Sequence, residues 1–304
     1  MTMKKLTLSN EYLVNQQKRF ALATVLIPSI GSLIALGLLW QIGVTPVEIG
    51  LLVGMYALTI TGITVGFHRL FSHSAFQTSN ALKLFLAIAG SMASQGPVIH
   101  WVSNHRRHHQ HSDQTGDPHS PHLAGDGKLS WLRGLWHAQI GWLFADEVTN
   151  SAMFAKDLLR DPVIAKVNNY YLVWLTLGLL LPAVIAGALR QTWIGFLSGF
   201  LWGGLLRVFL AHHFTWSVNS AMHLFGTRSF ETSDQSTNNI WFAIPTFGEA
   251  WHNNHHAFQS SAKFGLQWWQ LDIGYWVIAF FEKVGLVWDV KTPTPSMIEA
   301  RRKI

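Results

Sequence analysis

Apolar positions along this chain gather into four long runs, and the polar ones collect between them. No Asp, Glu, Lys or Arg occurs from residue 20 to residue 47, and residues 21–42 are almost continuously apolar. As a helix these would rise roughly 33 Å, enough to cross a bilayer. Residues 49–67, 170–189 and 191–211 repeat the pattern, the last with Arg207 near its end. One such run would suit a buried helix of a large soluble protein; four point to membrane spans. Residues 43–48 join the first two, and little more than Arg190 joins the second two. The expectation is an all-α integral membrane protein, its four transmembrane helices arranged as two hairpins. Residues 84–104 are also uncharged but carry Gln95, Pro97 and His100. We expect a helix lying along the interface there, because a fifth crossing would send the later polar clusters to the other side. Glycines four apart (Gly50 and Gly54, Gly62 and Gly66, then Gly195, Gly199 and Gly203) mark faces where helix backbones approach closely.

Charge sets the orientation. Lys4, Lys5, Lys18 and Arg19 precede the first span, and most other Lys and Arg fall in residues 68–168 and 215–304. The two short connections hold only Arg190. By the positive-inside rule both termini and the large polar segments face the cytoplasm. Residues 1–304 are then one domain, with those segments forming a helical cap. The first apolar run starts too late and is too long for a cleavable signal peptide. A net charge of +6 distributed in this way predicts a membrane protein with no nucleic-acid partner.

The chain has no cysteine and 16 histidines. Disulfides, thiolate zinc sites and iron–sulfur clusters are therefore excluded. Four histidine groups stand out: His68 with His73, His105-x-x-His108-His109, Asn219 with His223, and His252-x-x-His255-His256. On a helix the HxxHH spacing places the second and third rings about −60° and +40° from the first, so each triplet shares one face. Two facing triplets could hold two ions. His68 and His73 share no face on a regular α-helix: either the helix ends between them or they arrive from different angles. A lone histidine is usually a surface or core residue, and His105–His109 alone would suit an anionic-lipid patch. Four groups at the cytoplasmic ends of spans instead predict a polyhistidine di-metal site. Imidazole suits zinc, copper, iron and nickel alike. HExxH is absent, and haem needs only one or two of these rings.

The stretches GITVGFHRLFSH (62–73), WVSNHRRHHQHSD (101–113), GDPHSPH (116–122), TWSVNSAMHLFG (215–226) and FGEAWHNNHHAF (247–258) resemble the membrane fatty acyl desaturases of the Δ9, stearoyl-CoA desaturase type. RGLWHAQIGWLF (133–144) and GDPHSPH look like the bacterial members. The resemblance implies two iron ions (Fe2+) on His68, His73, His105, His108, His109, His223, His252, His255 and His256, with Asn219 holding a metal-bound water. It implies a bacterial inner-membrane oxidoreductase that uses O2 and two external electrons to insert a cis double bond, at Δ9, into a saturated acyl chain carried on CoA or membrane lipid. Where the animal acyl-CoA enzymes have Arg-Asp this chain has Ser103-Asn104, and Gly96 replaces an asparagine beside Gln95. Those positions serve the CoA head in that family, so an acyl-lipid or an acyl chain on a carrier protein enters as an alternative.

Further expectations concern the surroundings. Gln95, Trp101 and Trp216 are candidate substrate contacts by resemblance. Tyr56 and Ile60 lie roughly 18 and 12 Å before His68 along a helix, where they would form a tunnel floor that sets chain length or simply pack. Ligating imidazoles need acceptors for their other N–H; Glu249, Asp113, Asp117 and Asp234 are the candidates, with Glu249 placed three residues before His252. Of the histidines outside the nine (His100, His111, His119, His122, His137, His212 and His213), some are expected to stand behind the ligands, while His212 and His213 are read as structural. Electrons must come from an external donor of ferredoxin, rubredoxin, cytochrome b5 or flavin reductase type, because the chain has no GxGxxG fingerprint and no cysteine. An acyl or alkane hydroxylase on the same scaffold is the nearest alternative. A metal transporter or metal sensor is the more distant one, and a transporter would carry polar residues through mid-membrane.

Overall fold

A computed structural model describes residues 6–125, 127 and 129–303; Lys4 and Lys5 of the basic amino-terminal group lie outside them. Four helices are long and apolar enough to cross a membrane: Glu11–Gly37, Pro46–Ser72, Tyr171–Arg190 and Trp193–His223. The first begins ten residues ahead of the apolar run because Asn10 caps it, accepting a hydrogen bond from the Leu13 amide. The second opens on a capping box, with Pro46 at its first turn and Thr45 and Glu48 bonded reciprocally. The fourth continues past Ala211 and carries Asn219 and His223 out of the apolar zone. Trp40 and Trp193 are exposed at the two short connections, and Trp241 and Trp268 in the polar segments, as suits an apolar band edged by tryptophan.

The fourth span is the central one, packing on the first, second and third. Its Gly199 and Gly203 press against Pro182 of the third span. Gly62 of the second span meets Gly90 so closely that a Cβ on Gly62 would lie 2.1 Å from the Gly90 nitrogen. Gly50 and Gly54 face open space instead; on that side of the second span no helix packs close enough to need them. Arg190 at the second short connection pairs with the buried Glu48 beside the first, at 2.7 Å.

Residues 84–104 do not form one helix. Asn80–Ser91 and Val98–His111 are separate, broken at Ser94 and Gly96, both at positive φ, and at Pro97. Arg207 stitches this break to the fourth and third spans, donating to the carbonyls of Met92 (2.8 Å) and Gly178 (2.6 Å). Among the described residues the strands form two-residue antiparallel ladders. One pairs Thr7–Leu8 with Val148–Thr149, the other Gln77–Thr78 with Val287–Trp288. They tie the chain ends onto the middle segment, which with residues after 223 covers the histidine-bearing ends of the second and fourth spans.

Candidate metal centre

The second span changes character at Gly62. From there to Ser72 its hydrogen bonds run from i to i+5, and the His73 amide donates to the His68 carbonyl at 3.2 Å. This widened π-helical turn stacks residues five apart, so His68 and His73 come to one face with ring centroids 4.9 Å apart. The two HxxHH triplets lie on the Val98–His111 helix and on the short helix His252–Ala257.

Two groups of rings result. His68, His73, His105, His109 and His255 offer one ligand atom each, all within 4.8 Å of one another; His108, His223, His252 and His256 do the same. Each triplet is therefore divided, giving rings to both groups. Within the first group the Nε2 atoms of His68 and His255 are 3.0 Å apart, those of His255 and His109 2.9 Å, and those of His73 and His105 2.8 Å. In the second, His252 and His223 approach to 3.0 Å.

Carboxylates fix the ring protons. The Nδ1–H of His108 faces both oxygens of Asp117 at 3.0 Å, that of His223 meets Asp113 at 2.7 Å, and that of His256 meets Asp234 at 2.7 Å. Glu249 receives the Nδ1–H of His68, not one from His252 as the spacing suggested. A neutral imidazole carries one proton, so these four rings present bare Nε2 lone pairs to one another's neighbours. The Nε2 atoms of His108 and His256 are buried without a partner. Converging lone pairs without donors suit cations, and the donor set of nitrogen alone, with carboxylates behind it, fits a pair of transition-metal ions.

Ionisation agrees. Burial, reinforced by neighbouring imidazoles, drives His73, His105, His109, His252 and His255 well below the usual histidine value. Burial lowers His256 to about 4 despite Asp234. At His108 burial also works downward, but Asp117 overrides it and the value rises. Burial pushes Asp113, Asp117 and Asp234 upward, yet their histidine and backbone bonds hold all three below the usual carboxylate range. Mostly neutral rings backed by ionised carboxylates are the protonation pattern that metal binding needs.

Behind Glu249 lies a network that the histidine spacing gave no sign of. Arg69, fully buried, donates to Glu249 and to Asp272, each at 2.8 Å, and stacks on Phe264 at 3.9 Å. Thr64 also donates to Glu249. His119, one of the histidines outside the nine, is buried against His108 and Trp142, with Asp117 beside it.

An apolar groove of about 400 Å³ leads to these rings. It starts among Leu13, Gln17 and Phe20 of the first span and ends at Trp101, His105 and Asn219. Among the described residues no Asp, Glu, Lys or Arg lines it. Gln95 and Trp216 stand in its wall, and Gln95 receives the Trp101 indole N–H at 3.1 Å. Trp101 stacks on His105, centroids 5.1 Å apart. Trp101, His105, Thr215 and Asn219 also border a smaller inner cavity of about 30 Å³, together with Ile60, Val218, His68 and His252. Tyr56 lines neither cavity. Its hydroxyl donates to the Pro245 carbonyl at 2.6 Å, and its ring lies edge-on to Phe214 and Phe247, one helical turn below Ile60.

Four apolar helices crowned by a histidine cluster compatible with a di-metal site define a membrane-bound, metal-binding class of protein. Comparison with known proteins narrows this. The fatty acid desaturase family profile matches residues 16–291. Hex-5-enoyl-[acyl-carrier protein] acetylenase of Moorena producens is 52% identical over 303 residues, covering 99% of this chain and 94% of the relative. The sn-1 stearoyl-lipid 9-desaturase of Anabaena variabilis is 41% identical over 233 residues, covering 76% and 78%. Delta-9 acyl-lipid desaturase 1 of Arabidopsis thaliana is 38% identical over 242 residues, covering 80% and 74%. The chain belongs to the fatty acid desaturase family and is an oxidoreductase of that family.

Proposed function

We propose that this protein desaturates an acyl chain with O2 and two external electrons at two iron ions, in a bacterial inner membrane with the site and both termini cytoplasmic. The observation that carries the reading is the apolar groove ending at His105, beside an inner cavity that reaches His68 and His105 of one histidine group and His252 of the other. His68, His73, His105, His109 and His255 would hold one ion; His108, His223, His252 and His256 the other, with Asn219 orienting a water. Two iron ions with O2 supply an oxidant able to take hydrogen from an unactivated methylene, which no side chain acting as acid or base can do. The groove walls, with Trp101 over His105, position the chain and keep bulk water from the reacting carbons. Residues 1–304 act as one unit in this reading.

The groove also speaks to the substrate. Its mouth offers the amides of Gln16 and Gln17 and, among the described residues, no cation, so the neutral amides or esters of a carrier-protein arm or a lipid suit it better than the phosphates of CoA. Past the rings the inner cavity is small, about 30 Å³, which suits a short chain end better than a long one. This favours unsaturation close to the methyl end of a short chain, and the Moorena relative supports the same preference. A Δ9 bond in a lipid-borne chain, as in the Anabaena relative's name, is the second reading. Membranes containing the protein, supplied with reductant and with carrier-protein thioesters and lipids of six to eighteen carbons, separate the two by mass spectrometry. We expect an alkene or alkyne near the methyl end of the shorter thioesters and none from His255→Ala. Alcohol without unsaturation would favour the hydroxylase instead, and full activity in His255→Ala would refute the ligand assignment.

A further inference from the structure

His100 belongs to neither histidine group, yet it stands in the wall of the acyl groove with Pro97, Trp101 and Asn104. Its surroundings fix which ring nitrogen carries the proton. Arg107 donates to the Thr149 hydroxyl oxygen at 3.2 Å, and that hydroxyl donates to Oδ1 of Asn104 at 2.6 Å. The Asn104 NH2 is thereby turned toward His100, donating to its backbone carbonyl at 3.1 Å and meeting its ring Nε2 at 3.0 Å. The donors run one way from Arg107, which has no acceptor, and end on Nε2 as an acceptor. Burial lowers His100 to about 4, so the ring is neutral at physiological pH. A neutral ring that accepts at Nε2 carries its proton on Nδ1.

The Cδ2 edge of this ring packs over Gly96, where a Cβ would lie 3.2 Å from Cδ2. Nδ1 is on the opposite edge. Among the described residues no group accepts from it, and it is not sealed in as the unpartnered nitrogens of His108 and His256 are. The neighbouring amides are spent within the protein, Gln95 on Trp101 and Thr215 and Asn104 on Thr149 and His100. The groove thus keeps one oriented N–H in reserve along a largely apolar path. Such a donor calls for an acceptor on the ligand, and a saturated acyl chain has one, the carbonyl oxygen at its head.

Placement along the helix gives this donor a consequence. His100 precedes His105 by five residues on the Val98–His111 helix, a rise of about 7.5 Å. An extended chain advances about 3.5 Å over three bonds. A carbonyl held at His100 therefore brings a carbon roughly six bonds further on beside His105.

We propose that His100 donates its Nδ1–H to the carbonyl oxygen of a bound acyl thioester and so sets where the unsaturation falls, counted from the carbonyl. The proposal rests on the desaturase reading and adds the residue that fixes the register of the chain.

The test uses the full-length protein in vesicles, with the carrier-protein thioester of the length that the parent desaturates best. The probe is the matching thioether, which lacks the carbonyl oxygen. With the parent, the thioether is expected to show a KM raised about three- to tenfold and unsaturation spread over neighbouring positions. His100→Phe keeps a flat ring without the N–H; it is expected to bring the same losses to the thioester and to add little further loss with the thioether. His100→Asn offers an amide N–H near the place of Nδ1 and is expected to restore a single position. A ring that only packs would change kcat or iron content and leave the position of unsaturation where it was. Equal KM and equal position for thioester and thioether in the parent would overturn the proposal without any variant, as would a His100→Phe product identical to the parent's. No unsaturated product from the parent with any acyl donor would instead refute the desaturase reading.

Discussion

Glu249 touches His68 through one carboxylate oxygen, while Arg69 donates to the other at 2.8 Å. This places a charge behind the ring, fixes its tautomer and leaves Nε2 free on the side of His255. Arg69 is itself balanced by Asp272, so the chain is paired at every link. Removing the charge without changing shape isolates its contribution. Glu249→Gln is expected to weaken iron retention about 10–100-fold, measured as iron left after dialysis against a chelator, with thermal stability tracked in parallel. Retention equal to the parent would show that the carboxylate only packs. The histidines themselves were legible as residues, because box spacing on a helix is a local property. Their carboxylate partners lie up to 181 residues away, and for Glu249 spacing pointed to the wrong ring.

At the scale of elements, the widened turn from Gly62 is the feature that periodicity could not supply. A regular α-helix would separate His68 from His73; the i to i+5 pattern unites them. That turn is packed where it begins, with Gly62 against Gly90 and Gly90 under the Phe67 ring. A methyl on Gly62 has to push two backbones apart. Gly62→Ala is expected to cost about 1–3 kcal/mol, seen as a lower midpoint of thermal unfolding in detergent, and to reduce iron content by displacing His68. An unchanged midpoint would mean that the helices separate freely at this point. Gly50 and Gly54 have the same spacing but open surroundings; spacing shows where close approach is allowed, and only the neighbouring helix decides whether it happens.

Across the whole molecule, three openings converge on the rings: an apolar groove from the first span, a small inner cavity along the second, and a polar cleft in the cap. Which compartment they face depends on which side of the membrane the cap occupies. The absence of cysteine makes this easy to measure. Gln41→Cys, at the first short connection, and Gln259→Cys, in the cap, are both exposed positions. In sealed right-side-out vesicles an impermeant thiol reagent is expected to label the first and spare the second. Labelling of Gln259→Cys alone would invert the proposed orientation.

The sequence by itself determined four spans, their pairing and a metal-suited set of histidines, because each follows from composition and spacing within a turn or two of helix. Tertiary structure decided what depends on distant segments meeting. It split each HxxHH triplet between two groups, since rings from the Val98–His111 and His252–Ala257 helices interleave. It assigned a carboxylate to each of four rings. It also set how much room lies past the rings, where Ile60, Val218 and Thr246, from three separate stretches of chain, close around about 30 Å³.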